Sequence, residues 1–343
     1  AAAPLPTWVE AGIGDDCAVL QPGAGQRLLV TTDMLVEGVH FRGDLASAWQ
    51  IGYKAMAVNL GDVAAMGGEP LAAWLAIGLR PELGASWVEE LSAGLLGCAG
   101  EHGVQLLGGD TVASPAAIVL CLTLLGQASP RGAVLRSGAR PGDRVLLGGM
   151  VGDSAAGLHL LRRGPAVVEA AGLSLAEEEQ LRRSHLLPAP QVGLGRWLAG
   201  RGLARAMIDV SDGVLQDLGH ICTQSGGVGA EVDADALPLS AAACRLAAAA
   251  GLDARDWALS GGEDYVLLFC VRPGEVAELL AGCRAELGLA PTVVGTITAA
   301  PGLRVRRDGV WQEACAQGFD HFKGPEGGKA TRRSGSPGSP RPP

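Results

Sequence analysis

The sequence predicts an α/β (α+β) fold in two domains, and three observations carry the prediction. Aliphatic or β-branched runs alternate with segments of helical spacing along most of the chain. A turn-rich stretch, RSGARPGD at 136–143, interrupts that series and marks the boundary between residues 1–137 and 138–322. The 343 residues, 48% of them apolar, suffice for two cores of ordinary size.

In order, residues 28–33 (LLVTTD) read as a strand that ends at Asp33, and 48–66 as a helix closed by Gly67-Gly68 and Pro70. Residues 72–79 form a strand, 86–102 a helix, and 104–107 a short strand running into the turn Gly108-Gly109-Asp110. A further strand occupies 116–126. Beyond the boundary, 144–147 begin a new strand, and 149–157 form a loop leading into a helix. Residues 206–209 make a strand that meets the polar turn Ser211-Asp212-Gly213 and a helix through Cys222. The loop ALSGGED at 258–264 precedes a strand at 265–271. After Phe322 the composition (KGPEGGKATRRSGSPGSPRPP) lacks the apolar residues of a core, so 323–343 are expected to be a disordered tail.

Composition excludes several functions. A formal net charge of −9 favours neither nucleic acid nor an anionic membrane. The longest uncharged stretch, 111–130, is broken by Pro115 and suits a buried strand, not a membrane span. Eight scattered cysteines contain no Cys-x-x-Cys pair, and the first residues show no basic, then apolar, leader. The expectation is a soluble, cytoplasmic protein with reduced, buried thiols.

Charged residues make up only 18% of the chain, so acidic residues inside apolar, Gly-rich stretches stand out. Five places hold carboxylates at strand ends or beside glycines: Asp15-Asp16, Asp33, Asp62, Asp110 and Asp209/Asp212. One such Asp is ordinarily a helix cap or turn residue. Five of them, flanked by Gly, Thr or Ser, supply the oxygen ligands that hard cations require. Thr31 and Asp33 share one face of their strand, with Thr32 on the other, while Asn59 and Asp62 share a helical face. No P-loop, dinucleotide fingerprint, His-Glu-x-x-His or nucleophile elbow is present. The only lysines are Lys54, Lys323 and Lys329, so any ATP chemistry is expected at a metal-rich, lysine-poor site.

The blocks GIGDDCAVL, TTDMLVEGVHF, YKAMAVNLGDVAAMGGEP, LLGGDT, LRSGARPGD, GDSAAGL, IDVSDGVLQDLGHI, ALSGGEDY and GFDHF run in order from Gly12 to Phe322. Together they resemble the thiamine-monophosphate kinase family, within the superfamily of aminoimidazole ribonucleotide synthetase. The resemblance implies two α/β domains, with N-terminal sheets of two subunits joining in a barrel, hence a homodimer. It also implies phosphoryl transfer from ATP to thiamine monophosphate with several Mg²⁺ ions. The implied Mg²⁺ ligands are Asp16, Thr31, Thr32, Asp33, Asp62, Asp110, Asp209 and Asp212. ATP would meet Gly109, Asp110, Arg136 and Ser211, and thiamine phosphate His40, Glu263 and Phe319. Two alternatives stay open: another ATP-dependent synthetase of the superfamily, or a non-catalytic nucleotide- and Mg²⁺-binding module. A selenophosphate synthetase would carry a reactive Cys and a Lys ahead of its Asp block, and residues 1–15 hold neither.

Overall fold

The structure, a computed structural model, describes residues 9–11, 18–23 and 26–315. Asp16, Cys17, Phe319 and the 323–343 tail lie outside the described residues. The first half comprises β1 (Val9–Ala11), β2 (Ala18–Gly23), β3 (Gln26–Val36), α1 (Ala48–Ala65), β4 (Glu69–Leu79), α2 (Ala85–Glu101), β5 (Gln105–Ala113) and β6 (Val119–Gln127). Its strands form one sheet in the order β1-β2-β3-β6-β4-β5.

The second half continues with β7 (Arg144–Leu147), α3 (Asp153–Arg163), α4 (Pro165–Ala171), α5 (Leu175–Leu186), α6 (Val192–Arg201), β8 (Ala204–Asp209) and α7 (Val214–Gln224). It ends with β9 (Gly229–Asp233), α8 (Ala241–Ala249), α9 (Ala254–Ser260), β10 (Leu267–Val271), α10 (Val276–Gly282), β11 (Thr292–Thr298), β12 (Gly302–Arg307) and β13 (Val310–Ala314). These strands form a second sheet, β13-β12-β9-β11-β7-β10-β8.

Strand periodicity explains how the two sheets share a core. Along β10, Leu267, Phe269 and Val271 join a cluster with α1, α6 and the first sheet, while Leu268 and Cys270 turn to the opposite face under α7 and α9. Alternation of this kind leaves β10 buried on both sides. Helix α1 is the hub. Ser47 and Gln50 close its N-terminus as a capping box, and its buried residues run almost all the way round. On the first sheet Leu29, Leu122 and Leu124 face this hub. The other face of that sheet is open, with Met34 and Trp74 exposed.

An expected strand end and an expected turn proved to be strand interiors. Strand β3 does not stop at Asp33 but continues to Val36, because its pairing with β6 runs on to Val36↔Val119. Likewise Gly108-Gly109-Asp110 lies within β5, which pairs in parallel with β4 as far as Leu79↔Ala113. Strand extent here follows partner strands more than local propensity. The loop expected at 258–264 is partly helical, since α9 extends to Ser260. Of the cysteines described, Cys98, Cys222, Cys270 and Cys283 are buried and free, as expected, but Cys244 and Cys315 are exposed. No helix among the described residues is long and apolar enough to cross a membrane.

Candidate active site

Three aspartates from three separate elements converge on one cavity of about 110 Å³. Asp33 comes from β3, Asp62 from the last turn of α1, and Asp209 from the end of β8; Met34, Leu35, His40, Lys54, Val58, Ser211, Glu263 and Tyr265 complete the lining. On β3, period-two alternation puts Thr31 beside Asp33, and the Thr31 hydroxyl donates to Asp62 Oδ2. Thr32 points to the open face, where its hydroxyl meets the Leu122 carbonyl at 3.0 Å and Thr123 Oγ1 at 3.1 Å. Gly61 makes the convergence possible. A Cβ there would lie 2.9 Å from Asp209 Oδ2 and 3.4 Å from the Tyr265 ring, so only glycine lets both approach α1.

The loop carrying Glu263 and Tyr265 is pinned in an unusual backbone. Both residues have positive φ, 58° and 50°, which costs side-chain-bearing residues roughly 1–2 kcal/mol each. Their N–H groups donate to the Ser211 and Val210 carbonyls at 2.7 and 2.8 Å. Between them, Asp264 accepts from the Gly152 and Ser154 N–H groups at 2.7 and 3.2 Å, capping α3. Burial pushes the Asp264 carboxyl up to about 7.

Charge at the site is unbalanced toward the negative. Burial raises the Tyr265 phenol well above its ordinary range, and Glu263, Asp33, Asp209 and Asp62 raise it further. Burial also pushes the Glu263 carboxyl up, yet the Lys54 ammonium beside it outweighs burial and holds Glu263 low. Lys54 Nζ lies 2.7 Å from Glu263 Oε1, and His185 Nδ1 lies 3.4 Å from Oε2. Burial, with Lys54 nearby, drives His185 down to about 3, so the imidazole is neutral at physiological pH. Its Nδ1 also meets Ser154 Oγ at 3.1 Å. His40 accepts the Val36 N–H on Nδ1 at 3.0 Å.

A second cavity opens beside the first and shares Leu35, His40, Lys54 and Glu263 with it. Phe41, Ile51, Leu158 and Leu186 give it apolar walls, and Arg42, Gln50, Arg162 and His185 polar ones.

The structure therefore brings together Thr31, Asp33, His40, Asp62, Asp209, Ser211 and Glu263. It does not bring Thr32, Gly109, Asp110, Arg136 or Asp212 to that cavity. Asp110 on β5 pairs with Ala76 of β4, which pairs with Cys121 of β6, in turn opposite exposed Met34 of β3, so Asp110 stands on the open face of the sheet. Gly109 is required by packing, since a Cβ there would meet the Leu75 carbonyl oxygen at 1.9 Å. Arg136 lies on the loop between the sheets, its carbonyl 3.5 Å from Ser225 Oγ. Asp212 groups with Asp217 and His220. Asp217, however, already accepts the Ser211 and Asp212 N–H groups, each at 3.1 Å, which makes that group a brace for the turn. Asn59, expected to share a face with Asp62, is fully buried and donates to the Ala55 carbonyl at 3.0 Å.

Lys54, His185 and Tyr265 were not expected from the sequence. Lys54 was visible to helical spacing, because Lys54, Val58 and Asp62 recur every four residues along α1 and all three line the cavity. The site is lysine-poor, as expected, and its one described lysine is buried in the cavity wall.

The donor set suits a hard divalent cation. Carboxylate and hydroxyl oxygens face one cavity, and their summed negative charge has only Lys54 as a described lysine to offset it. Separate carboxylates of this kind suit Mg²⁺, which takes one or two carboxylates and completes its shell with water and phosphate.

The two halves match two family models, AIR synthase related protein, N-terminal domain over residues 14–128 and C-terminal domain over residues 140–308. The class of protein is therefore the two-domain AIR-synthase-related fold. Within that class the chain belongs to the thiamine-monophosphate kinase family. It is 42% identical over 319 residues to thiamine-monophosphate kinase of Salmonella typhimurium, covering 92% of this chain and 93% of that protein. Among solved structures it is similar to AaThiL complexed with AMPPCP and TMP, with a TM-score of 0.78, 32% identity, and 90% and 92% of the two chains covered. It is also similar to thiamine-monophosphate kinase from Stenotrophomonas maltophilia K279a, with a TM-score of 0.74, 41% identity, and 88% and 92% covered.

Proposed function

We propose that this chain transfers the γ-phosphoryl group of ATP directly to the phosphate of thiamine monophosphate, giving ADP and thiamine diphosphate. The observation that carries the reading is the pair of joined cavities. One is walled by Asp33, Asp62 and Asp209, the other is partly apolar, and His40, Lys54 and Glu263 stand at their junction. A substrate with a phosphate at one end and an aromatic body at the other fits that sequence of environments.

Asp33, Asp62 and Asp209, with Thr31 behind Asp62, would hold Mg²⁺, which supplies charge neutralisation for two polyanionic substrates. Of the rest of the proposed metal-ligand set, Asp16, Thr32, Asp110 and Asp212, the pair Thr32 and Asp110 would act on the open face of the first sheet, apart from this cavity, and Asp212 on the turn after β8. The chain's own residues align the reactants and exclude water. No general base is needed, because a phosphate monoester is already largely anionic near pH 7, its second pKa being about 6. Neutral His185, held by Ser154, is not called on as one. On the thiamine side the proposed contacts are His40, Glu263 and Phe319; on the ATP side they are Gly109, Asp110, Arg136 and Ser211.

We further propose a cytoplasmic homodimer joined through the first sheet. Strand β5 supports it: it is a sheet edge exposed along its whole length, carrying Leu106, Leu107 and Val112, beside exposed Met34 and Trp74. A second copy there would also cover Gly109 and Asp110. Light scattering at micromolar concentration should give twice the chain mass; a monomer overturns the dimer.

The test of function uses ATP labelled in its γ-phosphate, with Mg²⁺ and one acceptor at a time. Label should appear in thiamine diphosphate when thiamine monophosphate is offered, with negligible product from thiamine. Comparable product from thiamine, or label retained on the protein without acceptor, overturns the proposal.

A further inference from the structure

We propose that Lys54 is a catalytic residue, contacting the acceptor's phosphate with its ammonium group. The inference deepens the proposed function and rests on it. Lys54 is the only lysine among the described residues and is 4% exposed, on a helix whose other buried residues are apolar or glycine except Asn59. A lysine held only for packing would be an expensive choice there, since burying an ion pair seldom improves on apolar residues of the same volume. Its position gives a different reason. Lys54, Val58 and Asp62 lie at successive turns of one face of α1, so the two charged side chains spring from the same wall, their Cα atoms roughly 12 Å apart along the axis.

Lys54 also borders both cavities, at the junction through which a phosphate in the acidic cavity joins an organic body in the second. Every other titratable side chain lining the acidic cavity, apart from His40 and the phenol of Tyr265, is an acid. Glu263 takes one of the three donors of the ammonium, at 2.7 Å, and so aims it. His185, kept neutral on the far oxygen of Glu263, adds no competing charge. The arrangement supplies one fixed cation where an acceptor phosphate enters, preorganised by a carboxylate that is itself locked by its backbone.

The experiment compares two ligands that differ only in the phosphate. Binding of thiamine monophosphate and of thiamine to the full chain is measured by calorimetry, for wild type, Lys54→Met, Lys54→Gln and Lys54→Arg, with a thermal melt for each. Wild type should prefer the phosphate ester, and Lys54→Met should lose about tenfold of that preference while binding thiamine as before. Lys54→Arg should retain most of it. If Lys54→Met does not fold, Lys54→Gln and Lys54→Arg make the same comparison between neutral and charged side chains. Equal weakening of both ligands, or equal preference in the Gln and Arg variants, overturns the role of Lys54. A wild type that shows no preference for the phosphate ester overturns the underlying function instead.

Discussion

Asp62→Asn is expected to lower kcat by about a thousandfold, on the order of 4 kcal/mol of transition-state stabilisation, while leaving the chain folded. Asparagine keeps the volume and the carbonyl oxygen that accepts from Thr31, so the contact between α1 and β3 survives. What goes is one of the four carboxylate charges that wall the cavity, Glu263 being the fourth. Transfer between two phosphates concentrates negative charge in one place, and a cation there is held only as well as its carboxylates allow. Asp33→Asn should act similarly from the facing strand. The measurement is kcat with saturating ATP and thiamine monophosphate over a series of Mg²⁺ concentrations, with a melting curve as control. Wild-type kcat in either variant would show that these carboxylates are not part of the reaction centre.

How far the sequence anticipated this site depends on what kind of information each residue needed. Asp33 and Asp62 could be chosen from residue type alone, since acids in apolar surroundings are rare without cause. Period-two alternation was enough to separate Thr31 from Thr32, and the structure places them on opposite faces. The extents of β3 and β5 were beyond local reading, because pairing with β6 and β4 decides them. For that reason Asp110, expected at a turn, lies inside an edge strand on the open face. Lys54 was overlooked for a different reason. Familiar nucleotide motifs put lysine in a glycine loop, whereas here it sits in a helix, and its partner Glu263 is more than 200 residues away in sequence. Ion pairs of such separation leave no periodic trace. The positive φ of Glu263 and Tyr265 was equally hidden, since it is imposed by hydrogen bonds to Val210 and Ser211 rather than by the residues themselves.

The largest expected loss of stability lies away from the chemistry, where α1 crosses α2. A Cβ on Gly52 would lie 1.9 Å from the Leu91 carbonyl oxygen, and one on Gly94 would lie 1.8 Å from the Trp49 carbonyl oxygen. Each helix thus sets a glycine against the other's backbone, and the two axes pack closer than side chains permit. Backbone atoms cannot rotate away, so even a methyl group must force the helices apart and loosen Ile51, Ala55 and Leu91 in the core between them. Gly52→Ala is expected to cost on the order of 3 kcal/mol despite the better helix propensity of alanine, a fall of roughly 5–10 °C in Tm. Gly94→Ala should do the same. The two losses should not add, because a gap opened for one methyl group already accommodates the other, so the double variant should melt little below the worse single one. Since α1 also carries Lys54 and Asp62, activity should fall even where the variant remains folded. Denaturant unfolding of the two single variants and the double variant, followed by circular dichroism, checks this. Single variants as stable as wild type, or fully additive losses, would mean that the crossing is not held by backbone contact at these glycines.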